Sequence, residues 1–485
     1  MIALGGAIGA GLFVGSGVGI AAAGPGIVVS YVVAGALTVL VMRMLGEMSA
    51  ARPGSGSFSA HAARAWGPWA GLLAGWMYWA LLVVSVAAEA IGASRIMAGW
   101  LPQVPAWAWV AVFMALFTGT NLAGVRHFGE LEFWFAGVKA ASICVFVLLG
   151  AAAVFTGRTP AVENLAGHGG LLPHGWHGVA VGTLAAVFAY GGLETVTIAA
   201  AECEDPVAAV RRAVRTVLWR VALFYIGSMA VIVTVVPWDD PAVADGPYAA
   251  AIGRIGVPGA AQLMDAVVLV ALLSAMNANI YGSSRMLHAL AARGDAPRLL
   301  TRRRGGQDAV GTGRAVLASA AFGFASVVLS LLWPQTVFPF LLNSIGTAIL
   351  VVWILIAASH LRLHGHGRGR GGPRTAPMRG FPYLGYLALA AVAGVLVFML
   401  VDPGSRSQVL CTGAWTAVLL LVAGVRRLRR GPGGAPTAGD AAAVEPVAGV
   451  PAAVGPAVTA DPDAGSAAVV TARVRTAPGT GRPRN

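Results

Sequence analysis

One lysine and two carboxylates lie where their chemistry would be unusual, inside strongly apolar stretches of the chain. Lys139 is the only lysine among the 33 Lys and Arg residues of this 485-residue sequence, and Glu89 and Glu194 also follow long apolar runs. Ionisable groups within a membrane are costly and are functional by default. A buried lysine can release its proton, whereas an arginine stays charged. We predict that Lys139 and Glu194 handle protons and that Glu89 borders a cavity; the alternative for Lys139 is a side chain that snorkels to the membrane surface.

The glycine residues near the start of the chain indicate a helix that is broken. Glycines occupy positions 5, 6, 9, 11, 15, 17 and 19, and each costs about 1 kcal/mol relative to alanine in a helix interior. A second apolar segment is interrupted in the same way at residues 188–194, Phe-Ala-Tyr-Gly-Gly-Leu-Glu. Two interrupted helices at matching places in two halves of a chain point to a transporter binding site. The alternative is that the glycines only permit close helix packing.

The main-chain groups of such breaks suit a small zwitterion. Free N–H groups at a half-helix N-terminus bind a carboxylate, and unwound carbonyl groups bind an ammonium. We assign the carboxylate to the backbone of Ala10 and Gly11, and Ser274 is a further cavity candidate. The predicted substrate-binding residues are Ile8, Gly9, Ala10, Gly11, Phe188, Ala189, Tyr190, Gly191 and Gly192.

Composition requires that these segments cross a membrane. The chain is 57% hydrophobic and 11% charged, whereas soluble domains are about 25% charged. Because a spanning helix needs about 20 apolar residues, we predict an all-α membrane protein with twelve transmembrane helices. The predicted spans are 2–22, 27–46, 69–98, 105–125, 132–156, 178–201, 216–236, 259–289, 315–333, 336–360, 382–401 and 407–425.

The distribution of arginine predicts the orientation of these spans. The even-numbered loops hold 18 arginines and the opposite loops hold four, which places both termini in the cytoplasm by the positive-inside rule. The net charge of +13 is therefore a property of short loops and does not indicate nucleic acid. Residues 431–485 contain eight prolines and no aromatic residue, so we predict a disordered cytoplasmic tail.

The remaining reactive residue types suggest neither an enzyme nor a metalloprotein. Cys144, Cys203 and Cys411 are isolated, so no metal ligands and no disulfide framework are expected. The histidines of 360–366 are placed in a loop with weak metal spacing. We place six acidic residues near cytoplasmic helix ends, as solvated side chains or, in the alternative, as gating ion pairs with nearby arginines: Glu47, Glu130, Glu132, Glu202, Glu204 and Asp205. No cofactor is expected, and no nucleophile–base arrangement supports catalysis.

Several strings together resemble the amino acid transporter family of the amino acid–polyamine–organocation superfamily. Six motifs fall in the same order as in that family, over residues 1 to about 425. They are the residue 1–13 string MIALGGAIGAGLF, LGEM at 45–48, PGSGSF at 53–58, FGELEFWF at 128–135, ETVTIAAAE at 194–202 and SRML at 284–287.

The resemblance implies a leucine-transporter-type fold, with a 5+5 inverted repeat, discontinuous helices 1 and 6, and two C-terminal helices. The domain is then 1–430, with repeat one at about 1–157, repeat two at about 178–360 and the extra helices at about 382–425. It also implies an aromatic gate at Phe188, which Tyr190 could share, and a lysine on helix 5 that replaces a sodium ion. Charged Lys139 would then brace helix 1 against helices 5 and 8.

The function that this resemblance implies is import of an amino acid across the cell membrane by proton symport and alternating access. The partners are then the amino acid, the proton and the lipid bilayer, with no nucleic acid; the amino acid and the oligomeric state stay open. Two alternatives also stay open: an amino acid or polyamine exchanger on the same fold, and a nutrient sensor that binds without transport.

Overall fold

The computed structural model describes residues 8–51, 58–123, 128–194, 206–300, 313–366 and 380–430. Within these residues the chain forms helices, turns and loops and contains no strand. Ten helical runs in the described part are long and apolar enough to cross a membrane. The prediction of an all-α membrane protein is confirmed. Residues 1–7 and the predicted tail, 431–485, lie outside the described residues.

The helices of the first half extend from the glycine-rich opening to the second predicted break. They are α1 (Ala10–Phe13), α2 (Gly15–Ala23), α3 (Ile27–Ala51), α4 (Phe58–Trp66), α5 (Pro68–Trp100), α6 (Ala106–Ala123), α7 (Phe128–Phe155), α8 (Ala161–Ala166) and α9 (Gly175–Tyr190).

The helices of the second half include two of 30 residues or more, Ala260–Ala292 and Val337–His366. They are α10 (Pro206–Arg220), α11 (Gly227–Val235), α12 (Pro241–Asp245), α13 (Pro247–Ile255), α14 (Ala260–Ala292), α15 (Gly313–Leu332), α16 (Val337–His366), α17 (Tyr383–Val401) and α18 (Arg406–Arg430). A single π-helical turn, Val221–Ile226, joins α10 to α11.

The first two predicted spans form one helical run that reverses direction partway. Residues 10–49 are continuous as a candidate span, but Gly24 has φ 60° and begins a tight turn with Pro25. A side chain at Gly24 would meet the ring of Pro173. The turn therefore separates α1–α2 from α3, and this is one reason why ten candidate spans are found where twelve were predicted.

The sixth predicted span, 178–201, is interrupted. Helix α9 has 16 residues and ends at Tyr190, which is too short for a full crossing. Residues 191–193 form a turn, Glu194 is again helical, and 195–201 lie outside the described residues. The remaining predicted spans correspond to α5, α6, α7, α10–α11, α14, α15, α16, α17 and α18.

Two 33-residue helices, α5 and α14, pack along each other through the middle of the bundle and carry most of the polar residues that face the site. Pro68 occupies the first turn of α5, where its missing N–H has no helical partner in any case. Helix α16 packs against α5, α9 and α18, and the hydroxyls of Thr347 and Thr412 lie 2.8 Å apart between α16 and α18.

Glycines between α2 and α9 bring these two helices into close contact. A Cβ at Gly182 would lie 2.8 Å from the Cβ of Ala23, and one at Gly178 would lie 2.5 Å from the carbonyl oxygen of Ala22. Here glycine serves the close packing that small residues give to membrane helices. Gly178 and Gly182 therefore serve packing between these two helices.

Candidate functional site

The start of α1, where we predicted the first break, lies between α5 and α14. Gly9 precedes α1 in an extended conformation, and a Cβ there would collide with the Glu89 carboxylate and lie 2.9 Å from the Cβ of Ala275. Ile8 beside it is buried. Only glycine therefore allows the main chain to approach both long helices this closely. The part of predicted helix 1 before Ile8 lies outside the described residues.

A carboxylate from α5 occupies the main-chain donor at this break. The Ala10 N–H donates a hydrogen bond to Glu89 Oε2 at 3.0 Å, and Glu89 is 5% exposed. Arg95, farther along α5, lies over the Phe338 ring, 4.7 Å from its centroid. The amide that we assigned to a ligand carboxylate thus binds a carboxylate of the protein itself.

The second break follows α9 and has a carboxylate of its own. Gly192 has φ 95°, a conformation that favours glycine. The Gly192 N–H donates to the two carboxylate oxygens of Glu194, each at 3.2 Å. Glu194 is fully buried. Its side chain therefore satisfies a main-chain donor that the interrupted helix leaves without a helical partner.

The two breaks contact each other. A Cβ at Gly11 would lie 2.6 Å from the Cα of Ala189 and 3.0 Å from the ring of Phe188, and one at Gly15 would lie 3.2 Å from the same ring. The glycine face of α1 and α2 thus lies directly against the end of α9. These glycines let one interrupted segment rest on the other without side chains between them.

A small cavity lies beside this contact. Its volume is about 30 Å³, enough for one or two water molecules. Seven of the residues predicted for the site line it: Gly9, Gly11, Glu89, Phe188, Ala189, Gly191 and Gly192. Five lining residues were not predicted: Leu81, Leu82, Ser85, Asn279 and Ile345. The spacing of four between Leu81, Ser85 and Glu89 places them on one face of α5, and this signal could have identified the first two.

The other predicted site residues lie outside the lining of the cavity. Tyr190 is fully buried and turned toward α3, where its hydroxyl donates to the carbonyl oxygen of Tyr31 at 2.9 Å. Its ring lies 4.7 Å from that of Tyr225. Tyr190 thus anchors the end of α9, while Phe188 faces the glycines. Ile8, Ala10, Lys139, Glu194 and Ser274 also do not line the cavity.

Lys139 lies between helices and not at the membrane surface. The side chain is fully buried, and Nζ donates a hydrogen bond to Ser274 Oγ at 2.9 Å. This bond joins α7 to α14. The next residue, Ala275, is the one that approaches Gly9. Lys139 therefore contacts the residue of α14 that adjoins Ala275, the residue next to Gly9. The burial of its ammonium contradicts the snorkelling alternative.

A second polar cluster lies where α3 and α16 end. The prediction that His360 and His364 lie in a loop is wrong, because α16 continues to His366. No proline occurs between His360 and position 373, so none ends the helix where the apolar run ends. Nε2 of His360 lies 3.0 Å from Glu47 Oε2, and Nε2 of His364 lies 3.8 Å from it. Glu47 is therefore paired and only 15% exposed, which corrects the prediction of a solvated helix end.

Other polar residues fall away from these two clusters. Asn277 accepts a hydrogen bond from Asn121 at 2.7 Å, so it joins α14 to α6. Cys144 is a free, partly buried residue and Cys411 a free, exposed one. Glu130 and Glu132 belong to α7. Cys203 and the other acidic residues predicted near helix ends, Glu202, Glu204 and Asp205, lie outside the described residues.

The membrane-length helices define a multi-pass membrane protein. The start of α1 contacts the end of α9 beside a small cavity, and a buried carboxylate lines that cavity. Comparison with known proteins agrees with this class. The amino acid permease family model matches residues 1–426. The chain belongs to the amino acid permease family, which is part of the amino acid–polyamine–organocation superfamily.

Three relatives illustrate the similarity. The aromatic amino acid transport protein AroP of Corynebacterium glutamicum is 44% identical over 84% of this chain and 89% of its own length. The gamma-aminobutyric acid permease of Bacillus subtilis is 41% identical over 89% of this chain and 92% of its own length. The gamma-aminobutyric acid permease of Escherichia coli is 39% identical over 85% and 89%. These relatives are named as transporters and not as enzymes.

Proposed function

We propose that this permease imports an amino acid together with a proton across the cell membrane, by alternating access. One observation carries the proposal: the two interrupted segments rest on each other beside a cavity, and an Ala10 N–H already binds a carboxylate there. The proposed architecture is the 5+5 inverted repeat with two additional helices and with both termini in the cytoplasm. The non-helical residues Ile8 and Gly9 before α1 and the turn at 191–193 support it, because they fall in the first and sixth predicted spans.

The proposed substrate is bound at its two charged ends by main-chain atoms. Its carboxylate displaces Glu89 from the Ala10 N–H and also approaches the Gly11 N–H. Its ammonium contacts carbonyl oxygens of the two breaks, at Ile8, Phe188, Ala189 and Gly191. Because main-chain donors are fixed by the fold, they need no reorganisation when one carboxylate replaces another.

The walls of the cavity favour a substrate with an apolar side chain. Leu81 and Leu82 of α5 and Ile345 of α16 line it together with the Phe188 ring. Burial of apolar surface contributes about 25 cal/mol per Å², so these walls favour a large side chain over none. We propose an aromatic amino acid as the substrate, in agreement with the name of the Corynebacterium relative. γ-Aminobutyrate, named for the Bacillus relative, has no side chain to fill these walls.

The proposed proton carrier is Lys139. Its ammonium is fully buried and has the Ser274 hydroxyl as a partner, so a change in its protonation alters the α7–α14 contact. Charged Lys139 braces α14 against the first break, and loss of the proton releases that support. During the same transport cycle, the Glu194 carboxylate stabilises the second break by accepting the hydrogen bond from the Gly192 N–H.

The cavity must widen before it holds an amino acid. About 30 Å³ is far below the 300 Å³ or more of typical ligand pockets. The Phe188 ring lies against Gly11 and Gly15, at the contact that would have to open. We propose that Phe188 is the gate that moves when substrate enters.

The test is uptake by purified protein reconstituted in liposomes, with labelled phenylalanine, tryptophan, γ-aminobutyrate and putrescine. A proton gradient, acidic outside, should drive phenylalanine and tryptophan above their equilibrium concentration, and a protonophore should abolish this accumulation. Uptake that requires an internal counter-substrate and ignores the gradient would identify an exchanger. Binding without uptake would identify a sensor, and preference for putrescine or γ-aminobutyrate would overturn the substrate assignment.

A further inference from the structure

Three side chains of metal-ligating type converge where α3 and α16 end, and none of them lines the substrate cavity. Glu47 comes from the last turns of α3, and His360 and His364 are separated by one turn near the end of α16. The carboxylate and the two imidazoles each have a ligand atom within 4.8 Å of the other two. Among the described residues, this is the one group of three His, Cys, Asp or Glu residues whose ligand atoms all lie within 4.8 Å of one another.

The separations fit a tetrahedral metal ion. Zinc–nitrogen and zinc–oxygen bonds of about 2.0–2.1 Å at tetrahedral angles place neighbouring ligand atoms about 3.4 Å apart. Nε2 of His360 lies 3.0 Å from Glu47 Oε2 and Nε2 of His364 lies 3.8 Å from it, on either side of that value. Shifts of a few tenths of an ångström in flexible side chains are enough to reach it. Histidines at i and i+4 project from one helix face, as a shared ion requires.

The surroundings leave this ligand set available. Arg43 lies 3.8 Å from Oε1 of Glu47, so the only arginine paired with Glu47 among the described residues approaches the other oxygen. The ring of Phe381 lies 5.6 Å from the rings of both histidines and covers one side of the cluster. An apolar cover limits the access of water and strengthens interactions with a bound ion. His364 is partly exposed, which gives an ion a route of entry.

The donor set also selects among metals. Two imidazoles and one carboxylate suit zinc and the neighbouring transition metals, whereas magnesium and calcium prefer oxygen ligands throughout. We propose that Glu47, His360 and His364 bind one Zn²⁺ ion, with water as the fourth ligand, and that the ion ties the end of α3 to the end of α16. The simpler reading is a hydrogen-bonded Glu47–His360 pair that binds no metal.

The experiment uses the full-length protein in detergent, with its affinity tag removed and metals stripped by a chelator. Zn²⁺ binding is measured by titration calorimetry, and Co²⁺ serves as a spectroscopic substitute. We expect one ion per chain and the intense visible absorption of tetrahedral Co²⁺. His364→Ala should weaken binding by about 100-fold or more, since loss of even an outer-shell partner costs 10–100-fold.

His168→Gln is the matched control. His168 forms a histidine–carboxylate pair with Asp239 at 2.9 Å but belongs to no group of three within the described residues. This variant should bind Zn²⁺ as the unsubstituted protein does. Absence of stoichiometric binding to the unsubstituted protein, or binding that His364→Ala leaves unchanged, would overturn the proposal. Zn²⁺ binding is measured first on the unsubstituted protein, so the proposal can fail even if a variant misfolds. None of these measurements depends on transport activity.

Discussion

The centre of the bundle and the joined ends of α3 and α16 each bury a carboxylate, but they satisfy it in opposite ways. At the centre, Glu89 and Glu194 accept hydrogen bonds from main-chain N–H groups of interrupted segments. At the helix ends, Glu47 is paired with the side chains of His360 and Arg43. Main-chain donors stay in place whatever residue occupies the position, whereas side-chain partners can be removed by one substitution.

This difference explains which chemistry each place can support. Main-chain donors have fixed directions, and in the proposed mechanism they exchange a protein carboxylate for a substrate carboxylate without a change in their own structure. Side-chain partners can titrate, move and bind a metal. We therefore expect substitutions at the centre to act on uptake, and substitutions at the helix ends to act mainly on stability and metal binding.

The largest effect is expected from Lys139. In Lys139→Met no titratable group remains, and in Lys139→Arg the charge remains but cannot be released. Both variants should lose accumulation driven by a proton gradient, measured as labelled uptake in liposomes. If Lys139→Arg accumulates substrate as the unsubstituted protein does, a proton carried by this residue is excluded. Thermal unfolding of each variant verifies that the protein is folded.

The second effect concerns the contact between the two breaks. In Gly11→Ala the new Cβ would lie 2.6 Å from the Cα of Ala189, so the segments must separate. Overpacking of this kind costs about 1–3 kcal/mol, and we expect uptake to fall by about tenfold or more. Gly137→Ala on α7 is the matched control, because no atom lies within 4 Å of its added Cβ. Equal uptake by the two variants would show that the contact is not required.

A smaller effect is expected where one side-chain hydrogen bond is lost at the centre. Ser274→Ala removes the partner of Lys139 but leaves its ammonium in place. A hydrogen bond to a charged group contributes about 1.5–3 kcal/mol, so proton-driven uptake should fall by about tenfold. Ser142→Ala is the control, since that exposed serine on α7 bonds only to its own helix at Val138. A larger loss in the control would contradict this role of Ser274.

The smallest effect on uptake is expected at the helix ends. His360→Ala removes the 3.0 Å partner of Glu47 in chelator-treated protein. The free energy of unfolding should fall by about 1–3 kcal/mol, because a buried carboxylate loses its donor. Thermal unfolding in detergent measures this change, with His168→Ala as the control, because its partner Asp239 is 46% exposed. If uptake per folded molecule falls as far in His360→Ala as in Lys139→Met, the expected difference between the centre of the bundle and the helix ends is contradicted.

The sequence predicted the positions of the helices better than it predicted which residues contact one another. The long runs 69–98 and 259–289 correspond to α5 and α14 because apolar length alone determines a membrane span. The break after Tyr190 followed from two consecutive glycines. The bond from Ala10 to Glu89 joins residues 79 positions apart, and a single sequence carries no signal for that pairing.

Side-chain direction was equally beyond the sequence. Phe188 and Tyr190 are two positions apart on α9 and therefore point to different sides of that helix. One ring meets Gly11, and the other meets Tyr31. The Glu47–His360 contact joins residues 313 positions apart. It was missed because the apolar run ends near position 360, although the helix continues for six more residues.

Helix α16 reaches both places. It carries Ile345 at the cavity and His360 at the joined ends, 15 positions apart and therefore about 22 Å along the axis. Between them, Thr347 ties it to α18. A continuous helix joins the two places, so any effect that a substitution at His360 has on uptake is expected to pass through the wall at Ile345.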